Sequence, residues 1–176
     1  RQMYELLISR LTEAGYEHYE ISNFARPGKR SRHNSSYWHE IPYIGIGAAA
    51  HSYKRSDKNG ESDKNGENDE TGSLSAHSPL EAIRSWNVDD IWEYISRINQ
   101  GELPSESETL DLNTRYNDLI TTALRTSDGI NIKKMEQEFG TELAKKMMQE
   151  AEKHMARGLM KITDGNLSLT HQGLYI

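Results

Sequence analysis

A duplicated polar segment most constrains what this chain can fold into, because it separates two stretches that can build a core. The sequence SDKNGE at residues 56–61 recurs at residues 62–67, and no large apolar residue follows before Leu74. A segment this polar cannot bury enough surface to offset the entropy lost on ordering. We therefore predict a mobile surface insertion at residues 54–79. Calcium is not expected there, because the alternating ligands and distal Glu of an EF-hand loop are missing.

The composition excludes several classes of protein. Among 176 residues there are 21 basic and 27 acidic side chains, for a net charge of −6, and no cysteine. Without cysteine there is no disulfide scaffold, zinc ribbon, thiolate nucleophile or Cys-ligated iron-sulfur cluster within these residues. No run approaches the roughly 20 apolar residues of a membrane span. We expect a cytoplasmic protein, and the start at Arg1 rather than Met leads us to expect a piece of a longer chain.

The first part of the chain has the pattern of one α/β unit. Tyr4, Leu7, Ile8 and Leu11 fall on one face at helical spacing, which predicts a helix over residues 1–14. Residues 16–22 are rich in Tyr and Ile and predict a short strand, followed by a turn-prone exit at residues 23–28. In α/β architectures functional groups gather at the ends of strands, so the loop after the strand is the first place to look for a site.

The part after the insertion predicts helices and then a hairpin. Asn87 is a plausible cap for a helix that carries Ile91, Ile95 and Ile98 on one face and that Gly101 closes. Helices are expected over residues 113–125, over 133–139 and in the stretch before Gly158. Two short strands then flank Asp164-Gly165, a strong hairpin signal.

Three helices followed by a hairpin indicate a winged-helix-like domain, and such domains often read DNA. A nucleic-acid- or protein-binding module is therefore the alternative function. Between Asn131 and Lys161 there are seven basic and five acidic residues, a surplus of two. This is a weak footprint for a nucleic acid, so we consider such a partner improbable and favour a structural or protein-contact role for the domain.

Residues 32–39, RHNSSYWH, carry the most chemical information. On a helix Tyr37 lies four residues after His33, so imidazole, phenol and the indole of Trp38 can form one surface. Neutral imidazole is a good iron ligand, and aromatic faces suit a flat macrocycle. The alternative is that His33 is an N-cap or surface residue, while Tyr37 and Trp38 simply pack the core.

A second stretch of small residues, IGIGAAAHS, runs from Ile44 to Ser52. Gly45, Gly47 and the alanines that follow would let the backbone approach a ligand closely, and His51 could face the same pocket as His33. The third glycine of a dinucleotide fingerprint is missing. A tight strand and turn that requires small residues is the competing interpretation. No catalytic constellation is recognisable, so catalytic residues remain unassigned.

These motifs together resemble the oxygen-independent coproporphyrinogen III oxidase-like radical SAM family. The carriers are YEISNFA at residues 19–25, the His33-Asn34-x-x-Tyr37-Trp38 element and the stretch from Tyr43 to Ser52. The His-Asn-x-x-Tyr-Trp element is similar to that of the family's HemW branch of haem chaperones. Downstream segments that look like the family's C-terminal region are RSWN at 84–87, YNDLI at 116–120, LRTSDGI at 124–130 and LTHQG at 169–173.

The resemblance implies an α/β fold, α+β within this piece. Residues 1–53 would end a partial β/α radical SAM barrel, residues 80–112 would supply a connecting helix and loop, and residues 113–176 would form the C-terminal winged-helix-like domain. The longer protein would hold a 4Fe-4S cluster and S-adenosylmethionine. Its cluster motif is absent here, so this piece should lack radical chemistry by itself. The motif at His33 favours the haem-chaperone branch over the oxidases, although the sequence by itself does not decide between them.

The resemblance also implies site residues and partners. His33 would contact haem or ligate its iron, with Asn34, Tyr37 and Trp38 beside it. Gly45, Gly47, Ala48, Ala50 and His51 would lie on the S-adenosylmethionine side. Expected partners are haem or a porphyrin and a haem-accepting protein. Exposed strand edges in a truncated barrel would favour a homodimer, and a monomeric mass by light scattering would contradict this prediction.

Overall fold

The computed structural model of the chain describes residues 1–56 and 81–175 as two compact units. One unit comprises Arg1–His39 and Asn113–Ile176, and the other comprises Glu40–Leu112. The elements in chain order are α1 (Gln2–Glu13), β1 (Glu17–Glu20), β2 (Asn23–Ala25), α2 (Arg32–Trp38), β3 (His51–Ser56), β4 (Glu81–Asn87), α3 (Ile91–Asn99), β5 (Ser105–Leu110), α4 (Leu112–Ala123), β6 (Ile130–Asn131), α5 (Ile132–Phe139), α6 (Thr141–Ala156), β7 (Met160–Thr163), β8 (Asn166–Leu169) and a 3₁₀ helix (Gln172–Tyr175).

The predicted insertion coincides only partly with the described residues. Its first three residues, 54–56, belong to β3 and pair with β4, so the polar composition does not prevent strand formation there. A strand is possible because its backbone groups are satisfied by the neighbouring strand whatever its exposed side chains are. The rest of the predicted insertion lies outside the described residues.

The first unit begins with the predicted helix, but the predicted strand is shorter than expected. Residues 17–20 form β1, the chain reverses at Ile21 and Ser22, and β2 pairs antiparallel with β1 in the register Glu17↔Ala25 and His18↔Phe24. The stretch interpreted as a turn-prone exit is therefore partly a strand. The reversal has a local cause, because the Glu20 side chain accepts hydrogen bonds from both the backbone N–H and the hydroxyl of Ser22.

The rest of this unit contains the predicted helices and hairpin, with β6, β8 and β7 forming a three-stranded antiparallel sheet. Asp164 and Gly165 both adopt positive φ, 50° and 77°, as a two-residue hairpin turn requires. Its buried apolar side chains come mainly from α4, α5, α6 and the strands. The methionine at 147 is 4% exposed, in agreement with a role as core filler.

The second unit is an antiparallel sheet in the order β3-β4-β5, with α3 between β4 and β5. Tyr53, Ala82 and Leu110 are its buried core, with Tyr43 packed against them. Asp90, rather than the predicted Asn87, caps α3, because its carboxylate accepts the N–H groups of Trp92 and Glu93 while Asn87 is still paired in β4. Strands β4 and β5 were not predicted.

Candidate functional site

The motif around His33 forms α2, the helical arrangement in which Tyr37 was considered to lie beside His33. Ser31, not His33, is its N-cap, and the Ser31 hydroxyl accepts the backbone N–H of Asn34 at 3.2 Å. The Tyr37 hydroxyl lies 3.1 Å from His33 Nε2, and the two rings meet edge to face with centroids 5.0 Å apart. Both side chains are exposed, Tyr37 to 43%. The structure therefore brings His33 and Tyr37 together on the protein surface.

Trp38 does not share that surface contact. Its ring packs at 5.8 Å against Tyr19, which is buried on β1. One residue further along a helix turns by about 100°, which directs Trp38 away from the face of His33 and Tyr37. The Arg30 guanidinium covers Tyr19 at 5.4 Å from the ring centroid. Trp38 thus anchors α2 to the hairpin, while His33 and Tyr37 remain accessible.

The Asn34 side chain is partly buried and is hydrogen-bonded to the β1–β2 hairpin. Its side-chain N–H donates to Asn23 Oδ1 at 3.3 Å, and the Asn23 amide N–H donates in turn to Glu20 Oε2. The motif at residues 19–25 and the His-Asn-x-x-Tyr-Trp motif are thereby joined by hydrogen bonds. Two motifs that the sequence shows as separate are one structural assembly.

Glu20 is the centre of this assembly, and sequence analysis did not single it out. It is 3% exposed, and Arg125 donates to its Oε1 from Nε at 3.0 Å and from Nη2 at 2.7 Å. Burial raises the pKa of Glu20, but hydrogen bonds from the Ser22 N–H, from Asn23 and from Arg125 outweigh burial, so its pKa is lowered. An acidic residue inside an otherwise β-forming run was the available signal.

The small-residue stretch lies in the second unit, where it is hydrogen-bonded to the end of β4 and the residue that follows it. The Gly47 carbonyl accepts a hydrogen bond from the Asn87 side-chain amide at 2.8 Å, and the Ala49 N–H donates to the Val88 carbonyl at 2.9 Å. A Cβ at Gly45 would lie 2.1 Å from the His51 carbonyl oxygen. Close approach of backbone to backbone therefore explains why residue 45 is glycine, as the tight-turn interpretation proposed.

The remaining predicted residues of this stretch are placed as follows. Ala48 and Ala50 are partly buried in the loop, and the exposed His51 begins β3 opposite Trp86, with ring centroids 6.4 Å apart. His51 and Trp86 line a cavity of about 340 Å³ together with Asn87 and the carboxylates of Asp89, Glu93 and Glu106. His33 belongs to the first unit and His51 to the second, so their shared pocket stays a prediction.

Within residues 1–56 and 81–175, no group of three or more His, Asp or Glu side chains is placed to hold a metal ion. The chain also has no cysteine, so ligands of Cys-bound iron-sulfur clusters are not among its residues. None of the described helices is long and apolar enough to cross a membrane. The exposed His33 imidazole, with the Tyr37 ring beside it, is the predicted haem contact that the structure describes.

Comparison with known proteins agrees with the motifs. Residues 110–176 match the HemN C-terminal domain family. The heme chaperone HemW of Bacillus subtilis is 26% identical over 173 residues, covering 98% of this chain and 39% of the relative. HemW of Synechocystis is 58% identical over 43 residues, or 24% of this chain and 10% of the relative. The chain thus spans well under half of the length of these relatives.

A solved structure shares the fold. The structure described as coproporphyrinogen III oxidase (HemN) from Escherichia coli, a radical SAM enzyme, superposes with a TM-score of 0.60 at 14% identity, over 97% of this chain and 37% of that one. Mixed helix and sheet, predicted from the sequence, is confirmed. Residues 110–176 are similar to the HemN C-terminal domain family, and they are called the HemN C-terminal domain below. The chain as a whole resembles the oxygen-independent coproporphyrinogen III oxidase-like proteins, in particular those named heme chaperone HemW.

Proposed function

We propose that this chain is part of a HemW-type haem chaperone of the radical SAM family and that His33 contacts haem. The observation that carries the proposal is the exposed His33 imidazole beside the exposed Tyr37 ring on α2. The relatives named heme chaperone HemW support it. The cargo would be haem, passed on to a haem-accepting protein.

The geometry of His33 suits an axial ligand of haem iron. The Tyr37 hydroxyl engages Nε2, and among the described residues no hydrogen bond involves Nδ1. A hydrogen bond to one ring nitrogen orients a histidine so that its other nitrogen is available to a metal. The exposed Tyr37 ring supplies an apolar face beside the imidazole, which a flat macrocycle can contact. These residues therefore fit haem as cargo.

The family's other cofactors are assigned to the longer protein and not to specific contacts in this chain. In the longer protein we propose a 4Fe-4S cluster and S-adenosylmethionine, with the cluster ligands outside this chain. We retain Gly45, Gly47, Ala48, Ala50 and His51 as candidates for the S-adenosylmethionine side. Hydrogen bonds with Asn87 and Val88 hold this loop in shape. No radical chemistry is proposed for this chain by itself.

Replacing His33 tests the proposal directly. We expect His33→Ala to weaken haemin binding at least tenfold, or about 1.4 kcal/mol, because the proposed iron–imidazole bond is lost. The measurement is titration of the full chain with haemin, followed in the Soret band. His39→Ala is the matched control, since His39 is also exposed and lies directly after α2, with Nδ1 only 2.7 Å from the Ser35 carbonyl oxygen.

Equal binding by the parent chain, His33→Ala and His39→Ala would contradict the assignment of His33. Loss of binding in both variants to the same degree would indicate nonspecific association of haemin with surface histidines. Circular dichroism of each variant must match that of the parent chain, so that a change in affinity is not a change in folding.

The alternative of a nucleic-acid-binding winged helix is not favoured. On α6, Lys145 and Lys153 pair with Glu142 and Glu150 at 3.3 and 2.8 Å, so two of the basic groups counted in the sequence are already neutralised locally. A domain that binds the phosphate backbone needs clustered, unneutralised positive charge. The relatives also point to haem rather than to nucleic acid.

A further inference from the structure

We propose that Asn34 and Asn23 are positioning residues for His33, and that Arg125 of the HemN C-terminal domain supports them through Glu20. The inference rests on the proposed function, since it assigns roles around the haem-contacting histidine. It departs from the expectation that Asn34 contacts haem. It also gives the HemN C-terminal domain a specific task, which is to hold the helix that carries His33.

The chain of contacts starts from a carboxylate with both oxygens engaged. Arg125 donates two hydrogen bonds to Glu20 Oε1, while Ser22 and Asn23 donate to Oε2. The Glu20 side chain is 2% exposed, and that of Arg125 is 46% exposed. Charge-assisted bonds of this kind are the strong ones, and a buried carboxylate without its donors is costly. Glu20 is therefore a fixed acceptor at a defined position.

A fixed acceptor determines which way the Asn23 amide faces. An ionised carboxylate only accepts hydrogen bonds, so the NH₂ group of Asn23 must face Glu20. The Asn23 carbonyl oxygen then faces away from Glu20, and it accepts the Asn34 side-chain N–H at 3.3 Å. Because the Asn23 carbonyl oxygen can only accept, the NH₂ group of Asn34 must face Asn23. The charge of Glu20 therefore determines the orientation of both side-chain amides.

The backbone around these side chains is held by the same segment of the C-terminal domain. Ile21 N–H donates to the Arg125 carbonyl at 3.0 Å, and Ser127 N–H donates to the Tyr19 carbonyl at 3.0 Å. Arg30, just before α2, bonds to Asp128 at 3.0 Å and to Glu17 at 3.0 Å. Residues 125–128 therefore contact both ends of the segment that leads into α2.

Position on the helix separates Asn34 from the proposed haem contact. His33 and Tyr37 are four residues apart and share a face, whereas Asn34 is turned by about 100° from His33. Its backbone N–H is engaged by Ser31 and its side chain by Asn23. Two hydrogen bonds at the first turn fix the rotation of α2, and this rotation sets where the His33 ring lies.

The test combines haemin affinity with the spectrum of the bound haem. Asn34→Ala, Asn23→Ala and Arg125→Ala are compared with His33→Ala, and Ser36→Ala is the matched control, since the Ser36 hydroxyl donates to the Arg32 carbonyl within α2. We expect the three network variants to weaken binding about threefold to tenfold, the range that one lost hydrogen bond covers. We also expect altered low-spin signals of ferric haem in electron paramagnetic resonance. The double variant Asn23→Ala/Asn34→Ala should bind haemin no more weakly than Asn34→Ala alone, because Asn23 acts through Asn34.

The outcomes separate this inference from the proposed function. If His33→Ala binds haemin like the parent chain, the proposed function fails. If His33→Ala loses binding while Asn34→Ala and Asn23→Ala keep the parent affinity and spectrum, the positioning role is overturned. Weakening by Asn34→Ala with no effect of Asn23→Ala would make Asn34 a direct haem contact instead, which also overturns it.

A measurement without haem tests the network independently. Amide hydrogen exchange at Tyr37 and Trp38 reports how firmly α2 is held. We expect faster exchange in Asn34→Ala and Asn23→Ala than in the parent chain, and parent-like exchange in Ser36→Ala. Unchanged exchange in both asparagine variants would show that the contacts do not hold the helix and would overturn the inference whatever haemin does.

Discussion

Replacing Gly129 by alanine is expected to lower the free energy of unfolding of the first unit by about 3 kcal/mol or more. Gly129 has a φ of 66°, and a Cβ there would lie 2.2 Å from the Leu167 carbonyl oxygen. That oxygen belongs to β8, which pairs with β6 immediately after Gly129 in the register Ile130↔Leu167. The overlap is with backbone, so it can be relieved only by separating the two strands. Urea unfolding followed by circular dichroism measures the loss.

Gly165→Ala is the matched control for backbone conformation. Gly165 also has a positive φ, 77°, but a Cβ there meets nothing within 4 Å. Its replacement should cost only the conformational part, about 1 to 2 kcal/mol. Equal losses in the two variants would show that the overlap with Leu167 contributes nothing.

Removing the charge of Glu20 is expected to destabilise the chain by about 2 kcal/mol at pH 7, because Glu20→Gln turns an NH₂ group toward donors that need an acceptor. The pKa of Glu20 is lowered in the folded protein. A lowered pKa means stability that is present above the unfolded value, about 4.3, and is lost as the pH falls through the folded value. The difference between the parent chain and Glu20→Gln should therefore shrink below about pH 4.3. Urea titrations at pH 7, 5 and 3.5 measure it.

Glu17→Gln serves as the comparison for Glu20→Gln on the same strand. Glu17 pairs with Arg30 at 3.0 Å, but both side chains are about one-third exposed. An ion pair exposed to this extent contributes less than about 1 kcal/mol. A loss in Glu17→Gln as large as that in Glu20→Gln, or a pH-independent difference for Glu20→Gln, would contradict the role given to the buried carboxylate.

Local patterns predicted the elements whose signals are local. The helix over residues 1–14 and the hairpin at Asp164-Gly165 depend on periodicity and turn residues that the sequence displays directly. Strand β5, with the sequence SESETL, was missed because its side chains are almost all polar and its stability comes from pairing with β4. Pairing between strands distant in sequence leaves no local signal.

The sequence indicated which residues around His33 to consider, but not how they are arranged. His33 and Tyr37 meet as helical spacing requires, whereas Trp38 turns to Tyr19 and Asn34 to Asn23. Periodicity indicates which residues share a helix face, but it does not indicate what each face meets. Glu20 was missed for a related reason, since its main partner Arg125 lies 105 positions further along the chain.

By itself, the sequence determined the helices and turns, the exclusion of cysteine chemistry and the resemblance to haem-handling radical SAM proteins, because these depend on residue identity and short spacing. Only the tertiary structure decided that the motif at residues 19–25, the motif at residues 33–38 and Arg125 form one assembly. It also decided that residue 45 must be glycine because the backbone of His51 lies against it. The physical reason is that buried charges and close backbone contacts are satisfied by groups remote in sequence, whose proximity exists only after folding.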